Sequence, residues 1–180
     1  MIPDQFLAAL ALAITKTVAK ADIATVCQEI DTFIEAEMDK LCAGKKSKNL
    51  ERGIAFPTCL AVNEICGHYS PATEDSTALN DGDLVSIDLG AHLDGFASLA
   101  AHTMIVGGAT KGRQADVILA AHNAAQACAR AIAPGVKNTV LTEKIQAVCN
   151  EYECEPIHGV LSYKNKRHIC LLYTSPSPRD

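Results

Sequence analysis

The chain has 180 residues, 48% of them hydrophobic, and a formal net charge of −5 at pH 7. That length supports one domain with its own core. The acidic balance excludes nucleic-acid binding through bulk positive charge and leaves only a local basic patch for that role.

In chain order, residues 3–20 and 22–42 are predicted helices. In the second, Ile23, Val26, Cys27, Ile30, Ile34 and Met38 recur at helical spacing with acidic residues between them, the pattern of an amphipathic packing helix. Phe6–Ile14 is apolar, but Asp4 precedes it and no basic residue does, which argues against a secretion signal. Lys45-Lys46-Ser47-Lys48, with Arg52 nearby, forms a basic connection. A solvated loop is its default reading; a phosphate or RNA contact, or a nuclear-import signal, is the alternative.

Gly53–Glu64 reads as extended, with Phe56-Pro57 as a rigid entry, and Cys66–Tyr69 is expected to continue it. Ser70–Asp83 is a polar loop ending in the turn Asn80-Asp81-Gly82-Asp83. Asp83–His92 and Phe96–Ile105 are predicted strands, and Gly107-Gly108 ends the second. Arg113–Ile132 is a predicted Ala-rich helix closed by Pro134-Gly135. Thr139–Tyr152 is another, with Val140, Ile145, Val148 and Cys149 as its expected buried stripe. Pro156 stops it, and Ile157–Ser162 is expected to begin a further strand. Val26-Cys27-Gln28-Glu29 and Val148-Cys149-Asn150-Glu151 fall at similar places in two helix–helix–strand halves, which suggests an internal duplication. Residues 170–180 fit neither half, and their Ser-Pro repeats cannot carry a strand ladder. The expected division is a domain over 1–169 and a non-native tail over 170–180.

The eight cysteines contain no C-x-x-C pair and no zinc-module spacing. They read as free thiols of a reducing compartment, most of them small core residues. No apolar run reaches the ~18 residues that span a bilayer. The expected setting is cytoplasmic, extending to the nucleus, without membrane insertion.

The hairpin carries the most chemistry. Leu84–Gly90 alternates Val85, Ile87 and Leu89 on one face with Ser86, Asp88 and Gly90 on the other. Asp94-Gly95 is a strong two-residue hairpin turn. If Leu93 pairs with Phe96, Asp88 lies opposite Ala101 and Gly90 opposite Leu99. Leu99 is then a diagonal neighbour of Asp88 on one face. An apolar residue therefore stands within reach of the only carboxylate on that surface of the hairpin. Asp88 has a plain alternative as a hydrogen-bond acceptor at a strand surface, and His68 as an exposed loop histidine. His92, His102, His122 and His158 have no evident partner set.

Several collinear motifs resemble the methionine aminopeptidase/creatinase superfamily. They are Gly53-Ile54-Ala55-Phe56-Pro57-Thr58, Val62-Asn63-Glu64, His68, Asp81-Gly82-Asp83-Leu84-Val85, Ile87-Asp88-Leu89-Gly90, Asp94-Gly95-Phe96 and Ala101-His102-Thr103. Gly112-Arg113-Gln114-Ala115-Asp116-Val117-Ile118 and Ala120-Ala121-His122 bring the resemblance closest to its proliferation-associated, ErbB-receptor-binding branch. The resemblance covers roughly residues 5–169. It implies an α/β (α+β) pita-bread fold, two related halves around an antiparallel sheet, truncated here after about the first half to two-thirds.

In active members two Asp, one His and two Glu hold two metal ions, and an earlier His contacts substrate. The chemistry needs two divalent ions ~3.5–4 Å apart bridged by carboxylates around a nucleophilic water. By resemblance, His68 takes the position of the substrate-contacting His, Asp88 that of the first metal Asp, and His168 that of a further histidine of the active-site region. Leu99 replaces the second metal Asp and Val160 the metal His; the two Glu would lie beyond residue 180. The resemblance thus implies a vestigial pocket of His68, Asp88 and His168 with no catalytic residue, no metal and no cofactor.

The expected function is a non-catalytic aminopeptidase-fold platform for RNA, ribosomes or ribonucleoprotein and for signalling proteins. Lys45, Lys46, Lys48 and Arg52 are its candidate nucleic-acid contacts. The alternative is a metal-dependent methionine aminopeptidase or related metallopeptidase. A third reading is a fragment without function alone, its strand edges unpaired and apolar faces uncovered, which predicts poor solubility.

Overall fold

Helix α1, Pro3–Lys16, is held by Ala9 and Ala13, one turn apart and fully buried. It ends four residues earlier than expected. The Thr17 hydroxyl donates back to the Ala13 carbonyl at 2.8 Å, and Lys20 takes a left-handed φ of 68° that no helix accommodates. Helix α2, Ile23–Leu41, starts at Asp22, whose Oδ1 accepts from the Thr25 amide at 2.9 Å and the Thr25 hydroxyl at 2.7 Å. Its buried face holds Ile23, Val26, Cys27, Ile30, Ile34 and Met38, the stripe read from the sequence.

The computed structural model describes residues 3–44, 49–108, 111–159 and 163–173. Lys45, Lys46, Lys48 and Val160 lie outside the described residues, as do the Ser-Pro repeats after Tyr173. The chain divides into two compact units, Met1–Ala109 with Leu161–Asp180, and Thr110–Val160.

In the first unit three strands form an antiparallel sheet in the order β1 (Arg52–Val62), β2 (Leu84–Leu93), β3 (Phe96–Ile105). Asp94 and Gly95 both take positive φ, 53° and 79°, which suits a tight turn whose twist matches the strands. The resulting register is the one counted from the turn: Leu93 opposite Phe96, Gly90 opposite Leu99, Asp88 opposite Ala101. Val85, Ile87, Leu89 and Ala91 are buried in one core with the α2 stripe, Ala9 and Ala13. The other side chains of β2 therefore stand on the face away from that core.

Two expectations fail in this unit. Cys66–Tyr69 does not continue β1. Asn63 turns the chain with a φ of 53°, and Tyr69 comes back beside β1, its carbonyl accepting from the Leu60 amide at 2.9 Å. Asn63 also donates to Asp83 Oδ1 at 2.9 Å and accepts from the Leu84 amide at 3.0 Å, which ties the end of β1 to the start of β2. The expected strand at Ile157–Ser162 is absent from its described part: Ile157 is coil, His158 and Gly159 form a turn, and Gly159 has a φ of 80°. Pairing begins later, between β4 (Tyr163–Lys166) and β5 (Ile169–Tyr173). That ladder runs four residues into the segment read as a tail.

The second unit is a helix pair, α3 (Arg113–Ala131) and α4 (Asn138–Glu151). The Arg113 guanidinium donates to the carbonyls of Tyr152 and Glu153, at 2.9 and 2.7 Å. The expected stripe on α4 is corrected: Cys149 is buried, but Val140 is 40% exposed. With one partner helix, the pair buries only Ala120, Ala124 and Cys149 among its described hydrophobic residues.

Candidate functional site

The outward face of β2 presents Ser86, Asp88, Gly90 and His92 in sequence, with Thr103, Ala101, Leu99 and Ala97 opposite them on β3. Asp88 is half-buried. Burial pushes its carboxyl above the usual carboxylate range, while the His68 imidazole and a backbone hydrogen bond from Leu89 pull it down without cancelling the rise. His68 itself is exposed and holds a φ of 57°. The structure thus brings His68 and Asp88 into electrostatic reach of each other, at one end of this face.

Next along β2 comes an apolar plug. Phe56 of β1 and Leu99 of β3 both pair with Gly90. A Cβ placed on Gly90 would stand 2.7 Å from Phe56 Cε1 and 3.1 Å from Leu99 Cδ2, so these side chains occupy the space above the glycine. Phe56 was legible only as part of a rigid strand entry. The glycine inside this strand-forming run was the overlooked signal, since a strand glycine often marks close approach of another group.

His168 does not join Asp88. It occupies the β4–β5 turn, where its amide donates to the Gly95 carbonyl at 2.8 Å and its Nδ1 faces Glu51 Oε2 at 3.4 Å. Arg167 beside it donates to the Asp94 carbonyl at 3.0 Å and to Asp94 Oδ2 at 2.6 Å, with Phe96 5.6 Å below the guanidinium. A Cβ on Gly95 would meet the His168 ring at 2.6 Å, so the glycine is required by contact as well as by its positive φ. His168 and His92, for which the sequence offered no partner, line a cavity of about 180 Å³ with Ile54, Ala55, Gly95 and Ala97. His92 Nδ1 is buried there without a protein hydrogen-bond partner. His92 lies ~13 Å along β2 from Asp88, with the Phe56–Leu99 plug between them in register.

These residues do not by themselves supply a metal pair. Asp88 has His68 within electrostatic reach, and the space above the neighbouring Gly90 is filled by Phe56 and Leu99. Among the described residues no three His, Cys, Asp or Glu side chains converge as metal ligands. Arg52, a candidate nucleic-acid contact, has its Nε on Asp39 Oδ1 at 2.7 Å, and that hydrogen bond raises the guanidinium pKa further. Seven cysteines, Cys27, Cys42, Cys59, Cys66, Cys128, Cys149 and Cys154, are free thiols. Among the described residues no helix is long and apolar enough to cross a membrane.

Residues 5–170 match the model of metallopeptidase family M24. The chain is 44% identical over 162 residues to ErbB-3 binding protein 1 of Arabidopsis thaliana, covering 89% of this chain and 41% of that protein. It is 43% identical over 160 residues to proliferation-associated protein A of Dictyostelium discoideum, covering 87% of this chain and 41% of that protein. The chain therefore spans about two-fifths of the length of these relatives. In fold it superposes on a thermophilic Arx1 with a TM-score of 0.79 at 22% identity, over 93% of this chain and 54% of that one. The pita-bread expectation holds, and with 166 matched positions in sequence and most of the chain in structure, this protein belongs to metallopeptidase family M24.

Proposed function

We propose that this chain is part of a non-catalytic member of the family, which keeps the peptidase scaffold as a binding platform for protein and ribonucleoprotein partners. One observation carries the reading. Leu99 stands opposite Gly90 and with Phe56 fills the space above that glycine, and by resemblance to active members position 99 is where the second metal Asp would stand. Hydrocarbon at that point offers a divalent ion no ligand and prevents a bridging water from being held. The identity to proteins named for ErbB-3 binding and for proliferation supports a partner-binding role over a hydrolytic one.

Asp88 and His68, within electrostatic reach of each other, favour the second reading, a metallopeptidase with a rearranged site. Peptide cleavage in the presence of added Co²⁺ or Mn²⁺, run beside co-sedimentation with ribosomes, separates the two. The platform reading expects no turnover and co-sedimentation that weakens when Lys45, Lys46 and Lys48 are replaced by Ala. Turnover that disappears in Asp88→Asn would establish the second reading.

A further inference from the structure

Helix α4 ends in a cap that brings two cysteines together. The Glu153 amide donates to the Asn150 carbonyl at 3.1 Å, and the Cys154 amide to the Cys149 carbonyl at 2.9 Å. Between them Glu153 turns the chain with a φ of 51°. These two bonds and the left-handed residue make a Schellman cap, in which the first and last side chains meet, ordinarily as an apolar contact. Here both are cysteine. One N–H···O bond between two residues sets their Cα atoms about 5–6.5 Å apart, inside the span of about 4.4–6.8 Å that a disulfide accepts. The surroundings separate the two thiols. Cys149 is 8% exposed, and burial, with Cys154 close by, pushes its thiol up. Cys154 is only part-buried, and its Sγ accepts from Arg113 Nη2 at 3.6 Å and donates to the Tyr152 carbonyl at 3.3 Å. The same guanidinium grips the carbonyls of Tyr152 and Glu153, so it fixes the turn and the sulfur together. All these residues lie within the one compact unit Thr110–Val160.

We propose that Cys149 and Cys154 form a thiol–disulfide exchange site that takes low-molecular-weight disulfides of the glutathione class. Cys154, the more accessible thiol, attacks as its thiolate on one sulfur of the disulfide. A mixed disulfide forms on Cys154, and the first small thiolate leaves and is protonated. Cys149 then gives its proton to solvent and attacks Cys154 Sγ. The Cys149–Cys154 bond forms, the bond to the small thiol breaks, and the second thiolate leaves and is protonated. The chain loses two electrons and two protons, and one small disulfide is reduced to two thiols. The new bond clips the last turn of α4 to the residue that follows its cap. A thiol pair already closed on itself by backbone hydrogen bonds needs no rearrangement of the chain to make that bond, which sets it apart from the exposed but solitary Cys66.

The test equilibrates the longest natural chain that contains residues 1–169 with set ratios of glutathione disulfide to glutathione, then quenches it in acid. Cleavage after Glu151 and Glu153 separates the two cysteines, so mass spectrometry reads a Cys149–Cys154 bond as fragments that stay joined until reduced. The expected result is joined fragments, favoured about tenfold or more in the native chain over the same chain in urea, because the folded cap holds the sulfurs together. Cys149→Ala should trap glutathione on Cys154, and Cys154→Ser should leave the buried Cys149 unmodified. Far-UV circular dichroism checks that each variant folds; the part-exposed Cys154→Ser stands if Cys149→Ala does not. No joined fragments at any ratio would overturn the proposal. So would a bond no more favoured in the native chain than in urea, glutathione on Cys149 in folded Cys154→Ser, or none on Cys154 in folded Cys149→Ala.

Discussion

Replacing Gly90 by Ala tests the apolar plug by the sign of its effect. Gly90 lies in extended backbone, where an exchange of Gly for Ala normally stabilises by roughly 0.5–1 kcal/mol. Here the added methyl would meet Phe56 Cε1 at 2.7 Å, Phe56 Cδ1 at 2.9 Å and Leu99 Cδ2 at 3.1 Å. Over-packing of this kind costs about 1–3 kcal/mol, so the substitution should lose the usual gain and be net destabilising, by up to about 2.5 kcal/mol once the backbone gain is subtracted. Urea unfolding followed by circular dichroism reads the difference. The double variant Gly90→Ala with Phe56→Ala removes the closest contact, so most of the penalty should vanish from the thermodynamic cycle, leaving a coupling of about 1 kcal/mol or more. A stabilised Gly90→Ala protein, or additive effects in the double variant, would mean that the space above Gly90 is open and available to ligands or ions, and the argument from Leu99 would fail.

Three further outcomes follow from the same geometry. Asp88→Asn should stabilise the protein at neutral pH. Because burial raises the folded-state pKa of Asp88 above its unfolded value, the native state binds the proton more tightly, and stability falls as pH rises from about 3.9 through the folded pKa; urea midpoints of parent and variant should converge below about pH 3 and separate above that window. Burial pushes Cys27 up to about 12 and Cys59 up to about 11, so alkylation of the native protein at pH 7.5 should label the exposed Cys66 and spare those two, as read by mass spectrometry. Asp31→Ala should cost about 1–3 kcal/mol in thermal or urea unfolding, because the fully buried Thr58 donates both its amide, at 2.9 Å, and its hydroxyl, at 2.6 Å, to that carboxylate.

What the sequence made legible was what local chemistry decides. The Asp94-Gly95 pair fixes a two-residue turn, and a regular ladder without bulges carries that register ten residues to Leu84 and Ile105. Counting across it was enough to place Leu99 beside Asp88. The α2 stripe was equally plain, since one helix face meets one sheet face. The misses depend on single residues or on distant packing. Asn63 reverses the chain with one left-handed φ, which Val62-Asn63-Glu64 does not announce. Val140 is 40% exposed although helical periodicity puts it on the packing stripe, because periodicity marks a face without showing what covers it. The His92–His168 cavity requires the β4–β5 turn to dock on the β2–β3 turn, and nothing local to either histidine signals it. The Phe56–Gly90 contact crosses a strand pair interrupted by two register shifts, where alternation gives no count to follow.

The central claim is that the Asp88 face has lost the chemistry of a dinuclear site. Metal stoichiometry by calorimetric titration with Co²⁺ and Mn²⁺, in the longest natural chain that contains residues 1–169, tests it most directly. The account predicts no tight binding of two ions and an unchanged titration in Asp88→Asn. Two ions bound tightly per chain, with both lost on Asp88→Asn, would contradict it.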